Sequence, residues 1–283
     1  MISIIIPAYD EAKVIAATLK EFVTGIAKKE VEVIVVCNGC SDNTADVVRS
    51  FGEFFKCIET SIPSKANALN LGDSIATGFP RFYLDADVVL SLDTVRQVAS
   101  VLQTGKILAA APSMCIDTRK ATWIVRAYYD VWQQLPYVKE GLIGTGVYAL
   151  SEEGRKRFDS FPQIIADDGF IRALFKIDER ISVAACHSLV RAPANLAGLL
   201  KIKTRSRLGG YELRENFPEL KHNEEKKYDR AFLETIRKVY LWPKILVYLF
   251  VNIIARLRAK KHIRTKGYSG WEKDESSREK VSI

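Results

Sequence analysis

Asp85 and Asp87 stand one residue apart, after the apolar segment Arg81–Leu84 and before Val88-Val89-Leu90. Like charges this close at the end of an apolar segment repel each other and lose hydration. A divalent cation removes both penalties. Hard carboxylate oxygens suit Mg²⁺ or Mn²⁺, with diphosphate oxygens and water completing the shell. The same spacing also fits a solvated turn in which one aspartate caps the next helix, and these residues alone leave both readings open. A second acidic pair, Asp167-Asp168, opens a short helical pattern over Asp167–Phe175, where acids favour the helix N-terminus. Cys37-x-x-Cys40 is the remaining spacing with chemistry of its own. No second pair accompanies it, so a zinc site is not expected.

The elements that must position these residues are legible in the apolar pattern. Ile2–Ile6 is a β-branched run stopped by Pro7, as a strand buried on both faces would be. Helical spacing from Val14 to Ile26, a strand over Val31–Cys37 and a helix over Asp42–Phe51 follow, then a weaker strand over residues 54–58. Ser64 is the expected N-cap of a helix over Lys65–Ala76, ended by Gly78. A strand over Arg81–Leu84, a helix over Ser91–Gln103 and a strand over Ile107–Pro112 complete the alternation. Strands alternating with helices predict an α/β fold with a mainly parallel sheet and helices on both faces. Ligands then sit beyond the carboxyl ends of the strands. Those ends are Pro7-Ala8-Tyr9-Asp10-Glu11, Cys37 to Asp42, and Asp85-Ala86-Asp87, all polar and acid-rich. Beyond residue 115 the pattern loosens. It predicts a helix over Trp123–Leu135, a flexible loop over Gly141–Gly146, and strands over Val147–Leu150 and Ile181–Cys186.

Taken together these segments resemble the family 2 glycosyltransferases, which have the GT-A fold. The resemblance runs from Ser3 to about Gly210. It rests on Ser3 to Glu11, Val35 to Thr44, Lys65 to Asn70, Leu84-Asp-Ala-Asp87, Gly144-Thr-Gly146 followed by Ala149, and Asp167-Asp168, in that order. It implies a metal-dependent, inverting transfer of a sugar from a nucleotide-sugar donor to a hydroxyl acceptor. Pro7, Tyr9 and Glu11 would border the base and ribose, and Asp42 would lie in the nucleotide-binding turn. Asn38 stands where the family usually has an aspartate that reads the base; an amide offers both a donor and an acceptor there. Cys37 likewise replaces an acid. Lys65 would touch the diphosphate, with Asp85 and Asp87 holding the metal and His187 as a further metal or diphosphate ligand. Asp168 would be the general base that takes the acceptor's proton. Arg205-Ser-Arg207-Leu208 sits where processive synthases carry Gln-x-x-Arg-Trp. Thr204 and Leu208 replace the Gln and Trp, which argues against processive synthesis and leaves Arg207 for the diphosphate. A nucleotidyltransferase and an inactive scaffold of the same fold remain the alternatives. The first lacks its glycine-rich loop after strand one, and the retained acids weigh against the second.

The chain has 283 residues, 48% hydrophobic and 27% charged, which excludes collagen-like, disordered and disulfide-framework classes. Five cysteines and the absence of an N-terminal leader predict a reducing, cytoplasmic setting. Residues 1–200 hold 21 Lys+Arg against 23 Asp+Glu, and residues 201–283 hold 21 against 11, so the +8 net charge comes entirely from the last third. The organisation expected is a catalytic domain over residues 1–210, with a donor half to about 112 and an acceptor half from 113. A basic region over 211–283 would follow. Within it, Val239–Ala255 is apolar but short for a bilayer, interrupted by Pro243 and Lys244, and flanked by basic residues. A helix over 237–258 lying on the cytoplasmic face of an anionic membrane fits this pattern, with a core helix or a true span as the other readings. The acceptor would then be a lipid-linked or cell-surface glycan. A nucleic-acid partner is not expected.

Overall fold

The computed structural model describes residues 1–135, 138, 146–220, 241–270, 274 and 276. Among them run β1 (Ile2–Ala8), α1 (Ile15–Lys20), α2 (Val23–Ala27), β2 (Val31–Asn38), α3 (Thr44–Arg49), β3 (Phe55–Thr60), α4 (Lys65–Ile75), β4 (Arg81–Leu84) and α5 (Leu92–Leu102). The second half adds β5 (Ala109–Asp117), α6 (Trp123–Trp132), β6 (Val147–Leu150), α7 (Glu152–Arg155), α8 (Asp167–Leu174), β7 (Arg180–Arg191), α9 (Leu196–Asn216) and α10 (Trp242–Lys266).

One seven-stranded sheet has the order β3-β2-β1-β4-β6-β5-β7. The β1–β2, β2–β3, β1–β4 and β5–β7 pairs are parallel. β6 runs antiparallel to both neighbours, with Leu84 opposite Val147. β1 and β2 are buried along their whole length, as their largely apolar sequences predict. Side chains alternate across the pleat. Ile4, Ile6, Val33 and Val35 pack in one core layer, and Ile5, Ile34 and Val36 in the other with Leu69 of α4.

Several expectations change in detail. The helical spacing from Val14 to Ile26 is split into α1 and α2, with Phe22 at the joint fully buried. Ser64 does cap α4, accepting from the Asn67 backbone N–H at 3.1 Å. α9 runs through position 210, so the expected domain boundary lies inside a helix. Gly144 and Thr145 of the expected acceptor loop lie outside the described residues, as do 221–240.

Pro243 does not break α10. It occupies the first turn, where its missing N–H costs no hydrogen bond, and Lys244 pairs with Asp130 of α6 at 2.6 Å. The helix starts at Trp242 and runs eight residues past the expected end at 258. Val251, Ala255 and Ala259 are fully buried. Val251 joins a third cluster with Tyr128 and Trp132 of α6 and Leu199 of α9. Among the described residues no helix is long and apolar enough to cross a membrane.

Candidate active site

Lys65 joins three of the expected motifs. Its Nζ lies 2.7 Å from Asp85 Oδ1 and 3.0 Å from Asp167 Oδ1, so the first residue of α4 links the C-terminal end of β4 to the first residue of α8. Burial alone would lower the pKa of the ammonium. Asp167, Asp85 and the nearby Asp168 outweigh it and raise the pKa above the lysine range.

Asp85 and Asp87 sit half-buried in the turn after β4. The Asp85 N–H donates to the Gly146 carbonyl at 2.8 Å. Gly146 has φ +62°, and a Cβ there would come 2.4 Å from a Val88 methyl, so this close approach requires glycine. Thr18 of α1, also buried, donates to the carbonyls of Ala86 and Val88, both at 3.0 Å. Thr18 was missed in the sequence, although it is a polar residue on the otherwise apolar face of Ile15 and Leu19.

Asp167 is buried and accepts from the Tyr148 hydroxyl at 3.3 Å. Asp168 is half-buried, and its Oδ1 accepts from the Gly169 N–H at 2.7 Å. Burial, then the Asp167 charge, push the Asp168 carboxyl above the usual aspartate range, against the pull of Lys65. A raised pKa makes this carboxylate the better proton acceptor.

At the ends of β1 and β2, Pro7 is buried, Tyr9 is exposed and Glu11 is buried, its N–H donating to Thr44 Oγ1 at 2.9 Å. Asn38 is buried at 4% exposure, and among the described residues its Oδ1 has no hydrogen-bond partner. A buried carbonyl oxygen left unpaired is costly, so a ligand donor there would be stabilising. Asp42, expected in the nucleotide-binding turn, accepts from the Thr44 N–H at 3.0 Å, the Thr44 hydroxyl and the Ala12 N–H at 3.1 Å. These contacts brace the start of α3. Asp10, Cys40 and Asp42 bring three ligand atoms within 4.8 Å of one another, but Asp10 accepts from the Ser41 and Asp42 N–H groups at 2.7 and 3.2 Å.

Two expected residues lie apart from this constellation. His187 is exposed on β7, where its carbonyl accepts from Thr94, and among the described residues it forms no ligand cluster with Asp85 and Asp87. Arg207 of α9 donates to Asn252 Oδ1 of α10 at 2.7 Å, at the seam between the two helices.

A mainly parallel sheet with one reversed strand and acids at the strand ends is the GT-A arrangement of glycosyltransferases, and similar solved structures bear this fold out. One is the mannosyltransferase PcManGT from Pyrobaculum calidifontis in complex with GDP-Man and Mn²⁺, at TM-score 0.62 and 19% identity over 93% of this chain and 75% of that one. Another is glucosyl-3-phosphoglycerate synthase from Mycobacterium tuberculosis with Mn²⁺ and UDP-glucose, at TM-score 0.55 and 19% identity over 76% of this chain and 78% of that one. The chain belongs to glycosyl transferase family 2, whose model matches residues 3–148, just over half its length. A poly-β-1,6-N-acetyl-D-glucosamine synthase of Staphylococcus epidermidis is 27% identical over 274 residues, 89% of this chain and 65% of the relative. A probable glycosyltransferase of Bacillus subtilis, YdaM, is 32% identical over 131 residues, 40% of this chain and 31% of the relative. The chain thus spans less than two thirds of either curated relative.

Proposed function

We propose that the protein transfers a single sugar from a nucleotide-sugar donor to a hydroxyl acceptor, with inversion, at the Lys65–Asp85–Asp167 cluster. The observation that carries this reading is the cluster itself. One ammonium bridges a carboxylate at the end of β4 and one at the start of α8, with Asp168 beside it. Asp85 and Asp87 offer the hard oxygen donors that suit Mg²⁺ or Mn²⁺. Bound there, such an ion would neutralise charge on the departing diphosphate. Lys65 adds a fixed positive charge at the same place. The Asn38 amide faces the base, and Pro7, Tyr9 and Glu11 border the base and ribose. Asp168 takes the proton of the acceptor hydroxyl as its oxygen bonds to the anomeric carbon and the bond to the diphosphate breaks. The nucleoside diphosphate leaves with that electron pair. The metal-bound and nucleotide-sugar-bound neighbours support this reading.

Calorimetry with UDP and GDP tests it. Binding should require Mn²⁺ or Mg²⁺ and should be lost in Asp85→Ala and Asp87→Ala. Undiminished metal-dependent binding in either variant would remove the assignment.

The same reading places the enzyme on the cytoplasmic face of an anionic membrane, with a lipid-linked or cell-surface glycan as acceptor. Leu246, Leu249, Phe250 and Ile253 form an exposed apolar face on α10, opposite the buried Val251 and Ala255. Arg256, Arg258, Lys260, Lys261 and Arg264 are exposed on the turns that follow. An apolar stripe beside a cationic run is the chemistry of an interfacial helix. In liposome flotation, anionic vesicles should carry the protein and neutral ones should not. Leu246→Ser with Phe250→Ser should abolish flotation without lowering UDP affinity. Equal binding to both vesicle types, or none, would refute the membrane assignment.

A further inference from the structure

Tyr148 of β6 reaches the acidic pair of α8 from the sheet. It is 4% exposed, and its hydroxyl donates to Asp167 Oδ2 at 3.3 Å. The other oxygen of Asp167, Oδ1, meets Lys65 Nζ at 3.0 Å. Both oxygens of this buried carboxylate therefore face a donor. Asp168 is placed differently. Among the described residues its hydrogen bond is a local one, from the Gly169 N–H to Oδ1 at 2.7 Å. Donors aimed at one of two neighbouring carboxylates favour its charged form, so a proton taken up by the pair goes to the other.

The neighbours of Tyr148 fix it in place. β6 pairs with β4 so that Tyr148 lies opposite Tyr83, and the two rings stack at 5.1 Å and 27°. Tyr83 is anchored in turn. Its hydroxyl donates to Asp73 Oδ1 of α4 at 2.6 Å, and Asp73 meets Arg81 and Arg155 at 2.8 Å each. The Phe161 ring stands edge-on against Tyr83 at 4.9 Å. The Tyr148 hydroxyl thus has little freedom to leave Asp167. Burial, then the Asp167 charge, push its ionisation well above the usual phenol range. It stays protonated, and towards a carboxylate it acts as a donor. Other charges act on the pair from the elements around it. Lys65 of α4 and Asp85 after β4 lie on the site side. On the α9 side Glu212 is engaged with the Ile165 N–H at 2.7 Å. Among the described residues, Lys65 and Tyr148 are the side chains that reach an Asp167 oxygen.

We propose that Tyr148 is a positioning residue for the transfer. Together with Lys65 it holds Asp167 as a fixed negative charge, and so directs the proton of the acceptor hydroxyl to Asp168. That proton leaves as the hydroxyl oxygen bonds to the anomeric carbon, and the Asp168 carboxylate receives it. Tyr148 acts through Asp167 and not on the substrate. The two adjacent acids then have separate tasks, one as the partner of Lys65 and one as the proton acceptor. This inference rests on the glycosyl-transfer reading above and accounts for the choice between the two acids.

The test is a carbon-13 NMR titration of the full chain in saturating Mg²⁺, labelled at the aspartate carboxyl carbons. Asp167→Asn and Asp168→Asn assign the two signals. In the native chain the Asp168 signal should titrate above the usual aspartate range, while the Asp167 signal stays that of a carboxylate through the same pH interval. Tyr148→Phe keeps the ring and its stacking on Tyr83 but removes the hydroxyl. The proton's partition should then shift towards Asp167 by roughly threefold to tenfold, a modest effect because 3.3 Å is long for a hydroxyl donor. The Asp167 signal should accordingly move together with that of Asp168. A ring needed only for packing would leave the titration of Tyr148→Phe like that of the native chain, and that result overturns the proposal. A native chain in which Asp167 takes the first proton also overturns it, and this arm needs no variant at Tyr148. Near-native kcat in Asp168→Asn beside the expected titration would instead overturn the glycosyl-transfer reading on which the proposal rests.

Discussion

Glu32 offers a quantitative test of how the sheet holds its site. The carboxylate is 7% exposed on β2. Its Oε1 accepts from the Ser3 hydroxyl of β1, from the Thr77 N–H at 2.6 Å and from the Gly78 N–H at 3.1 Å. Its Oε2 meets Lys56 Nζ of β3 at 2.8 Å. The residue therefore ties three strands to the turn that leads into β4, the strand that ends at Asp85. Burial would raise its pKa, but Lys56, Ser3 and Thr77 overcome that and lower it from 4.5 to about 2. At about 1.4 kcal/mol per tenfold, this is roughly 3 kcal/mol of stability at neutral pH. The folded value lies below the unfolded one, so this stability is present in full above about pH 4.5. It is lost as pH falls towards 2, with about half gone by pH 3. Glu32→Gln removes the charge and turns an NH₂ group or a weaker acceptor towards two backbone N–H groups. Urea unfolding of both proteins at pH 7, 5 and 3 should show a gap of roughly 3 kcal/mol at pH 7 and 5 that narrows by about half at pH 3. Other carboxylates titrate alike in both chains and cancel. A gap that is constant with pH, or under about 1 kcal/mol at pH 7, would refute the reasoning.

Two further substitutions probe the site directly. Asp168→Asn keeps the shape but cannot accept a proton, so kcat should fall by roughly a hundredfold or more while UDP affinity in Mn²⁺ holds within about twofold; steady-state rates and calorimetry check both. Gly146→Ala forces a side chain into φ +62° and against Val88. It should cost about 2 kcal/mol or more, seen as a lowered Tm, and should weaken UDP binding because the Gly146 carbonyl holds the Asp85 N–H.

The parts of the fold that depend on local pattern were legible in the sequence. Largely apolar runs mark β1 and β2, Ser64 marks the start of α4, and acids mark the turns after β1, β2 and β4. Strand direction was not legible, because periodicity is the same either way along the chain. β6 reads as an ordinary strand over Val147–Leu150, and its reversal between β4 and β5 follows only from the tertiary pairing. Long-range polar partners were hidden for the same reason. Nothing local to Lys65 indicates that it bridges Asp85 and Asp167, or near Arg207 that it meets Asn252. A proline inside an apolar run usually interrupts it, whereas Pro243 at the first turn of α10 is compatible with the helix. The exposed face of α10 was legible, since Leu246, Leu249, Phe250 and Ile253 share one side at helical spacing. The buried face was less so, because alanines at 255 and 259 report close packing only once the neighbouring helix is known.

Lys65 brings the geometry to a last test. One ammonium answers three carboxylates, Asp85, Asp167 and Asp168, and Asp85 is also a proposed ligand for the cation. A lysine and a divalent cation at the same carboxylate repel each other. Lys65 therefore opposes metal binding before the nucleotide arrives, and favours the nucleotide once its diphosphate brings further negative charge. Removing the ammonium separates these two effects. In Lys65→Met, Mn²⁺ alone should bind tighter, by roughly threefold to tenfold for a partly exposed charge in this setting. UDP in saturating Mn²⁺ should bind weaker by a similar factor. Free Mn²⁺ can be read by electron paramagnetic resonance and UDP by calorimetry, neither of which depends on turnover. A purely structural lysine would, on removal, loosen the cluster and weaken both ligands together. Parallel loss of both affinities would therefore refute this account, and only changes of opposite sign support Lys65 as a charge shared between the metal-binding acids and the diphosphate.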